Sequence, residues 1–459
     1  DVKNCTVSGL VSKVTITAYN NLTIVAGNTG IPTLTKTGTP KSTVYSSSNT
    51  GVATINASTG VVTGVAAGTA TMTVKITNYD GTIVTKTCTV TVQTAVAQVG
   101  SVNYASVGNA ISAITSSGTV KLLVNRTESP TFPAGKTITF NLNSKTLTGT
   151  ITNKGVLTAT SGTINGGTDK GIKNEGTLTV SGTTINSSGS HAIYNYDSAT
   201  LTISSGTING TSDSVGTIVN KNVLKINGGT VYSKNKQAVY TYEKGTTTIA
   251  GGKIYNESKD YGTCTGAEGC KYIVTGGTIY SKYKNAFNIL KGSSLAISGS
   301  STNIYSEQPE GSCIRVYGEN SVYGTVTMSN GKITAPHNAI IVSGGKVTIT
   351  GGTVECTYVN QEAIDIENNG VVNIQGGIIR NTKGGRAIIV GDTTNGKGTL
   401  NVTGGTITTT STEANYATVK VDDTYGTFKF TKGTIKNGNS SGYCYYKNKT
   451  DNKTGTWTK

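Results

Sequence analysis

The best cluster of carboxylates in this chain runs through three segments, "QEAIDIENNG", "GGRAIIVGDTTNG" and "VKVDDTYG", which carry Glu362, Asp365, Glu367, Asp392 and Asp422. Grouped acids can do two things. Two carboxyls roughly 6.5–9.5 Å apart can protonate a glycosidic oxygen and activate a water, and several can surround a calcium ion. If Ala363 stacks near Ala387, Ile364 and Ile366 point inward while Asp365 and Glu367 face out. Arg386 then sits beside Glu362, and Asp392 and Asp422 lie near Asn368. Asp365, Glu367 and Asp392 are the calcium candidates. The plainer reading, an outer face laced with salt bridges, is preferred; no catalytic residue is assigned, and beyond calcium no cofactor is expected. His191 and His337 are far apart, and no Ser/His/Asp or Cys/His set forms around them. The Gly-Gly pairs lack the Lys-Ser/Thr that a phosphate-binding loop requires.

Tyrosine offers a second chemistry. The chain has 23 Tyr against 5 Phe and 1 Trp. Tyr232, Tyr255, Tyr280 and Tyr305 each follow an apolar residue of a repeated motif, so strand alternation points them outward in one row. Lys234 and Lys282 follow two residues after Tyr232 and Tyr280 and should lie along that row. Such a strip offers ring faces to sugars and ammonium groups to acidic substituents. The alternative is a stack that only strengthens the fold. A second group, Tyr194, Tyr196, Tyr240 and Tyr242, sits on "AIYNY" and "AVYTY". Outward Thr repeats such as "TLTVSGTT" resemble the flat arrays of ice-binding solenoids, but the repeat lengths vary too much for a regular lattice face.

The elements that must hold these residues are visible in a repeat. "INGGTVYS", "IAGGKIYN", "VTGGTIYS" and "ITGGTVEC" are one motif written many times. Its second apolar residue falls at Ile164, Ile185, Ile208, Val231, Ile254, Ile279, Ile304, Ile333, Val354, Ile379, Ile407 and Ile435, at spacings of 21 to 29 residues. A period in the twenties indicates a solenoid. Each period holds two further strands, of the types "QAVYTY" and "VLKI". The expected turn is therefore strand, polar bend, strand, Gly-Gly corner, strand, with Ile, Val and Ala stacked inward. Leucine-rich repeats are excluded, because neither their Leu pattern nor a helix per turn is present.

This pattern resembles the pectate-lyase-like right-handed parallel β-helix, particularly its "GGTI" versions in Gram-positive surface proteins, over about residues 100–445. Enzymes of that superfamily degrade acidic polysaccharides, some with an acidic calcium site and a basic residue, others with clustered aspartates. The resemblance thus implies a polysaccharide lyase or hydrolase as the alternative to adhesion.

The first ninety residues differ. Short alternating strands such as "VTITA" and "TIVTKTCTVTV" between Gly, Asn and Ser turns point to an antiparallel sandwich. Tyr45, Ser47, Ser48, Asn49, Ala53 and Ile55, then Thr59, Gly60, Val62, Gly64, Val65, Gly68, Ala70 and Met72 to Val74, resemble the bacterial Ig-like domain of group 2. Tyr45 stands where that family usually has Trp. The resemblance implies a spacer or adhesive module. Between the two regions, Ala105, Val107, Ala110, Ile111 and Ile114 fall at helical spacing behind a capping Ser106.

Composition agrees. The 60 glycines and abundant Thr, Ser and Asn disfavour long helices, and 14% charge with regular patterning argues against disorder. A net charge of +16, spread singly, suits polyanions; no nucleic-acid motif and no membrane-spanning apolar run accompanies it. No signal peptide opens the chain, and "DVKNCTVSG" reads as a mature start or an excised fragment. Cys264 and Cys270 close the loop "CTGAEGC" as a candidate disulfide, and Cys5 and Cys88 could staple the first domain. Both would imply an oxidising, extracellular setting. Cys313, Cys356 and Cys444 read as small buried hydrophobes. The expectation is all-β: an Ig-like sandwich over 1–93, a linker, short capping helix and lead-in strand over 94–136, and a right-handed parallel β-helix of about thirteen coils over 137–459. Adhesion or display at a bacterial cell surface or wall follows, with a glycan or polyanionic polymer as partner and self-association open.

Overall fold

The computed structural model describes residues 11–309, 311–411, 416–447 and 451–459. The chain divides into two compact units, residues 1–126 and 127–459. Among the described residues no helix is long and apolar enough to cross a membrane.

In the first unit a four-stranded sheet runs in the order Leu22–Val25, Ile83–Gln93, Gly68–Thr77, Ser42–Ser47. A three-stranded sheet (Thr29–Gly30, Val62–Gly64, Ala53–Ile55) and the pair Thr15–Tyr19 with Leu34–Thr37 complete its β-structure up to Gln93. Alternate residues of these strands, Ile16, Ile24, Ala53, Val62, Met72, Val74, Ile76, Val90 and Val92 among them, form one core. Tyr45 packs against that core, and Gly60 explains its company. Gly60 has φ +73°, and a Cβ there would meet the Tyr45 ring at 3.1 Å. The helix forms at Val107–Ala113, with the Ser106 hydroxyl accepting from the Asn109 amide at 3.0 Å.

The second unit is a β-solenoid of about fourteen turns. Most turns carry three strands, as in Val239–Thr241, Thr246–Ile249 and Lys253–Asn256, and equivalent strands pair in parallel from turn to turn; in two early turns the second and third run on as one, Val156–Asn165 and Thr177–Ser187. These form the first, second and third columns of strands. All twelve aligned Ile and Val positions are fully buried, and in-register pairing joins them into one stack along the third column. The turn beyond the thirteen expected arises because the first column begins at Thr131–Phe132, before any Gly-Gly pair marks the repeat.

The Gly-Gly corner meets two separate demands. The second glycine adopts a left-handed conformation, φ +82° at Gly252, which other residues rarely adopt. The first lies against the turn below: a Cβ on Gly251 would come within 2.5 Å of the Asn227 carbonyl oxygen. Two glycines are needed because the corner is both left-handed and close-packed.

One interior feature carries no apolar signal. Asn153, Asn174, Asn195 and Asn220 stack on the inner side of the first column with no solvent exposure. Each amide donates to the next, at 2.8, 2.7 and 2.9 Å, and the last turns to the Thr247 hydroxyl at 3.1 Å. Each amide also caps nearby backbone carbonyls such as that of Thr200, so the buried dipoles are satisfied. The final turn is covered by Thr456–Thr458, paired antiparallel to Thr434–Asn437, with Trp457 packed on Phe430 and Tyr445. That strand occupies the sheet edge the last turn would otherwise expose.

The cysteine pairing between Cys264 and Cys270 is corrected. Both are free thiols buried in the solenoid. Cys264 belongs to the inward stack between Val239 and Phe287, and Cys270 points to the Ser293 hydroxyl at 3.5 Å. What reads as a surface loop is a strand followed by a tight turn. Cys5 lies outside the described residues, and with it the proposed pairing to Cys88, which is buried in the first core. Cys313, Cys356 and Cys444 are buried, as expected.

Candidate functional site

Two outward faces of the solenoid collect aromatic side chains. On the third column, Tyr232, Tyr255, Tyr280 and Tyr305 are register partners on four consecutive turns. Their rings stack at centroid separations of 4.9, 4.9 and 4.6 Å; the last two pairs are nearly parallel, at 3° and 2°. The row exists as expected, but it is not an open strip. A turn rises about 4.8 Å, close to the thickness of a stacked ring, so each ring covers its neighbour. Tyr280 keeps only 7% of its surface exposed. Burial pushes the hydroxyls of Tyr232, Tyr280 and Tyr305 up to about 12, aided at Tyr232 by the Glu257 carboxylate.

The lysines fare similarly. Lys234 and Lys282 do align beside the rings, but the intervening position is Glu257 and the one beyond is Glu307. Lys282 pairs with Glu257 at 3.5 Å, and Glu257 also accepts from the Tyr232 hydroxyl at 3.3 Å. The row alternates Lys, Glu, Lys, Glu and carries no net charge. The cation that does address the rings is Lys253, 4.7 Å from the centroid of Tyr255 and 5.3 Å from that of Tyr280. It stands two residues before Tyr255, on the same side of the strand.

Beyond Tyr305 the row passes to Thr334, whose hydroxyl is shut off from solvent, and then to Glu355, held by Arg380 and Lys332. Before Tyr232 it consists of Asn209, Asn186 and Asn165, chained by side-chain amide hydrogen bonds of 2.9 Å. A groove of about 580 Å³ opens there.

The first column is different. Its outward row reads Lys173, Tyr194, Val219, Tyr240 on successive turns. Tyr194 and Tyr240 thus stand two turns apart, with Thr265 next in the row, and their companions Tyr196 and Tyr242 sit at the bends. Tyr194 and Tyr196 meet at 47°, and Tyr240 and Tyr242 edge to face at 79°, leaving Tyr242 39% exposed. Lys221 stands 5.2 Å from the Tyr242 centroid, Lys236 4.2 Å from that of Tyr261, and Arg315 5.3 Å from that of Tyr317. Three cavities of about 340, 280 and 280 Å³ follow along this face. Tyr317 lines all three, so they form one track; Tyr240, Asp260, Asn288, Lys284, Arg315 and His337 line parts of it.

The carboxylate cluster expected from the sequence lies further along this face, while Asp260, Glu268 and Glu319 line the track itself. Asp365 belongs to the same outward row as Arg315, two turns on. Arg386 pairs with Glu362 at 3.2 Å, as the spacing implied, and Arg315 reaches Glu367 at 3.6 Å. Burial raises the Asp365 carboxyl to about 7, reinforced by Glu362, Glu367 and Asp392 and opposed by Arg315. The calcium assignment to Asp365, Glu367 and Asp392 is corrected: among the described residues no group of three His, Cys, Asp or Glu is placed to hold a metal ion. Asp392 is spent on its own turn, accepting from the amides of Thr394 and Asn395 and from the Asn395 side chain. Asp422 does the same for Thr424 and Tyr425. His191 points its Nδ1 at the Gly216 carbonyl, and burial lowers the pKa of both histidines.

Alternation in the strands gave the direction of the third-column tyrosines and of Tyr194 and Tyr240; which faces stay open was decided by spacing along the solenoid axis. No protein-family model matches the chain, and no curated protein matches it.

Proposed function

We propose that this chain is part of a bacterial surface protein, extracellular or wall-associated, in which an Ig-like module adjoins a right-handed parallel β-helix that serves as an adhesive or display stalk. The motif around Tyr45 and Gly60 supports the module, and the "GGTI" repeat supports the helix family. The stalk binds a polysaccharide bearing acidic groups along its first-column face. One observation carries this: three cavities joined through Tyr317, with Tyr240 and Tyr261 lining one of them, Lys236 beside the Tyr261 ring, Arg315 beside that of Tyr317, and Lys284 and Lys291 among the other lining residues. A chain-like ligand suits joined cavities, ring faces suit sugars, and cations suit carboxylates or phosphates. Retention on immobilised polygalacturonate or teichoic acid tests it. Tyr317→Ala and Tyr240→Ala should each weaken retention at least tenfold without altering the far-UV circular dichroism. Parent-like retention by both would overturn the assignment.

The raised carboxyl of Asp365 favours a second reading, a lyase or hydrolase, because an acid that stays protonated near neutrality can donate to a leaving group. Reducing ends or unsaturated products released by the parent and lost in Asp365→Asn would establish it.

A further inference from the structure

The groove before the tyrosine ladder has a chemistry unlike that of the first-column track. Its lining is Asn165, Asn186, Asn209, Tyr232 and the small residues Gly167, Ser187, Ser188 and Thr211, with no charged side chain among them. Its volume of about 580 Å³ falls within the usual range for small-ligand sites. We propose that this groove binds a neutral oligosaccharide, with one sugar ring stacked on Tyr232 and its hydroxyls on the asparagine ladder. The proposal stands apart from the first-column reading and needs none of its residues.

Four features point to this ligand class. Tyr232 is the first ring of the stack. Tyr255 covers one face at 4.9 Å, and the other looks toward its register partner Asn209, where no aromatic neighbour follows. It is the one end of the ladder that opens on a groove, since Tyr305 lies over Thr334.

The floor is polar but already ordered. The amide of Asn209 donates to Asn186, and that of Asn186 to Asn165, so all three side chains are fixed in one direction. Among the described residues nothing donates to Asn209 Oδ1, and Asn165 Nδ2 has no acceptor. An acceptor beside the ring and a donor two turns away therefore face the groove, about 10 Å apart at the rise of parallel strands. Prearranged donors and acceptors lose little freedom on binding, and hydroxyl groups, which both give and accept, suit either end.

Absence of charge excludes the competing ligands. An anionic sugar placed here would lose water without gaining a counter-charge from any lining side chain, which is unfavourable. A purely apolar ligand would strip solvent from three amides and return nothing.

Calorimetric titration of the whole chain with cellotetraose, maltotetraose and tetragalacturonate tests the proposal. At least one neutral tetrasaccharide should bind saturably, with an affinity unchanged between low salt and about 1 M NaCl. Tyr232→Ala and Asn209→Ala should each weaken it tenfold or more. Tyr232→Phe, which loses only the hydroxyl bonded to Glu257, should bind within threefold of the parent, as should Tyr305→Ala at the far end of the ladder. Thermal melts separate lost binding from lost structure, and Asn209→Ala leaves the ring stack untouched. No heat from either neutral sugar up to about 10 mM, equal loss in Tyr232→Ala and Tyr305→Ala, or tetragalacturonate binding that Tyr232→Ala abolishes would each overturn it. The first-column assignment is read separately, from acidic-polymer retention in Tyr240→Ala and Tyr317→Ala.

Discussion

The third-column and first-column faces are both rich in tyrosine, on the same scaffold and with the same strand alternation, yet one stacks its rings face to face and the other sets them at steep angles. The difference is a single turn of spacing. Tyr232, Tyr255, Tyr280 and Tyr305 occupy every turn and lie face to face. Tyr194 and Tyr240 occupy alternate turns with Val219 between them, and their neighbours meet them at steep angles. Because the rise of a β-solenoid nearly matches aromatic stacking, an unbroken run of tyrosine becomes a structural spine. An interrupted run leaves ring faces for something else.

The harshest way to break the comparison is to remove what the faces share. Ile254 is fully buried under Tyr255, and Ile254→Asp would bury an unpaired charge, at a cost of more than about 4 kcal/mol. The expected outcome is loss of the cooperative solenoid transition in thermal melts, with both faces lost together. A local defect that left first-column retention intact would show that the turns are less coupled than their shared core implies.

Next comes the contrast itself. Tyr280 is buried between two rings, so Tyr280→Ala should destabilise the unit by about 2–4 kcal/mol. Tyr240→Ala should cost under about 1 kcal/mol, yet weaken polymer retention. Urea titration of the two variants, set beside retention, should thus give opposite rankings. Equal stability losses would remove the distinction between spine and open face.

Much of this was legible in the sequence for a physical reason: inward residues of a solenoid must repeat at every turn, so Ile164 through Ile435 announce the stack. Other features were legible but unread. Asn195 lies two residues after the inward Ile193, so alternation already placed it inside, against the habit of reading Asn as a turn residue. Glu257 occupies the same repeat position as Lys234 and Lys282, and the alternating charge follows from that alignment. Lys253 shares the parity of Tyr255. The acid cluster was half readable: Glu362 beside Arg386 followed from the alignment, whereas Asp392 looked like a free ligand. Asp followed by Thr and Asn is also a turn signature, and local amides claim its oxygens first. Ring openness was not legible at all, because it depends on the distance between turns and on bend conformations.

A smaller effect tests the acidic end of the first-column face. The Asp365 carboxyl has its ordinary value, 3.8, raised to about 7 by burial and by neighbouring acids. The folded state thus holds its proton more tightly than the unfolded chain does. That contribution to stability is fully present below pH 3.8 and is lost as pH rises through about 7. Asp365→Asn should accordingly change stability little at pH 4 and raise it by about 1–2 kcal/mol at pH 8, allowing for partial solvent screening. Denaturant melts across that range check the sign. A variant less stable than the parent at pH 8 would mean that the carboxylate is needed in its charged form.

The mildest perturbation asks whether the two faces differ by ring geometry or merely by charge. Glu257→Gln with Glu307→Gln leaves Lys234 and Lys282 without intervening carboxylates and gives the third-column row a net positive charge. Exposed pairs of this kind contribute little, so stability should shift by under about 1 kcal/mol. Retention on acidic polymer should rise at low salt, from simple attraction. At about 0.15 M salt, where screening acts over roughly 8 Å, it should return close to the parent's, because the rings from Tyr255 to Tyr305 remain stacked on one another and the one free face, that of Tyr232, opens on a groove lined by no charged side chain. If the double variant instead retains polymer at that salt as strongly as the first-column face does, charge alone makes a solenoid face adhesive. The spacing of tyrosines would then be a matter of stability only.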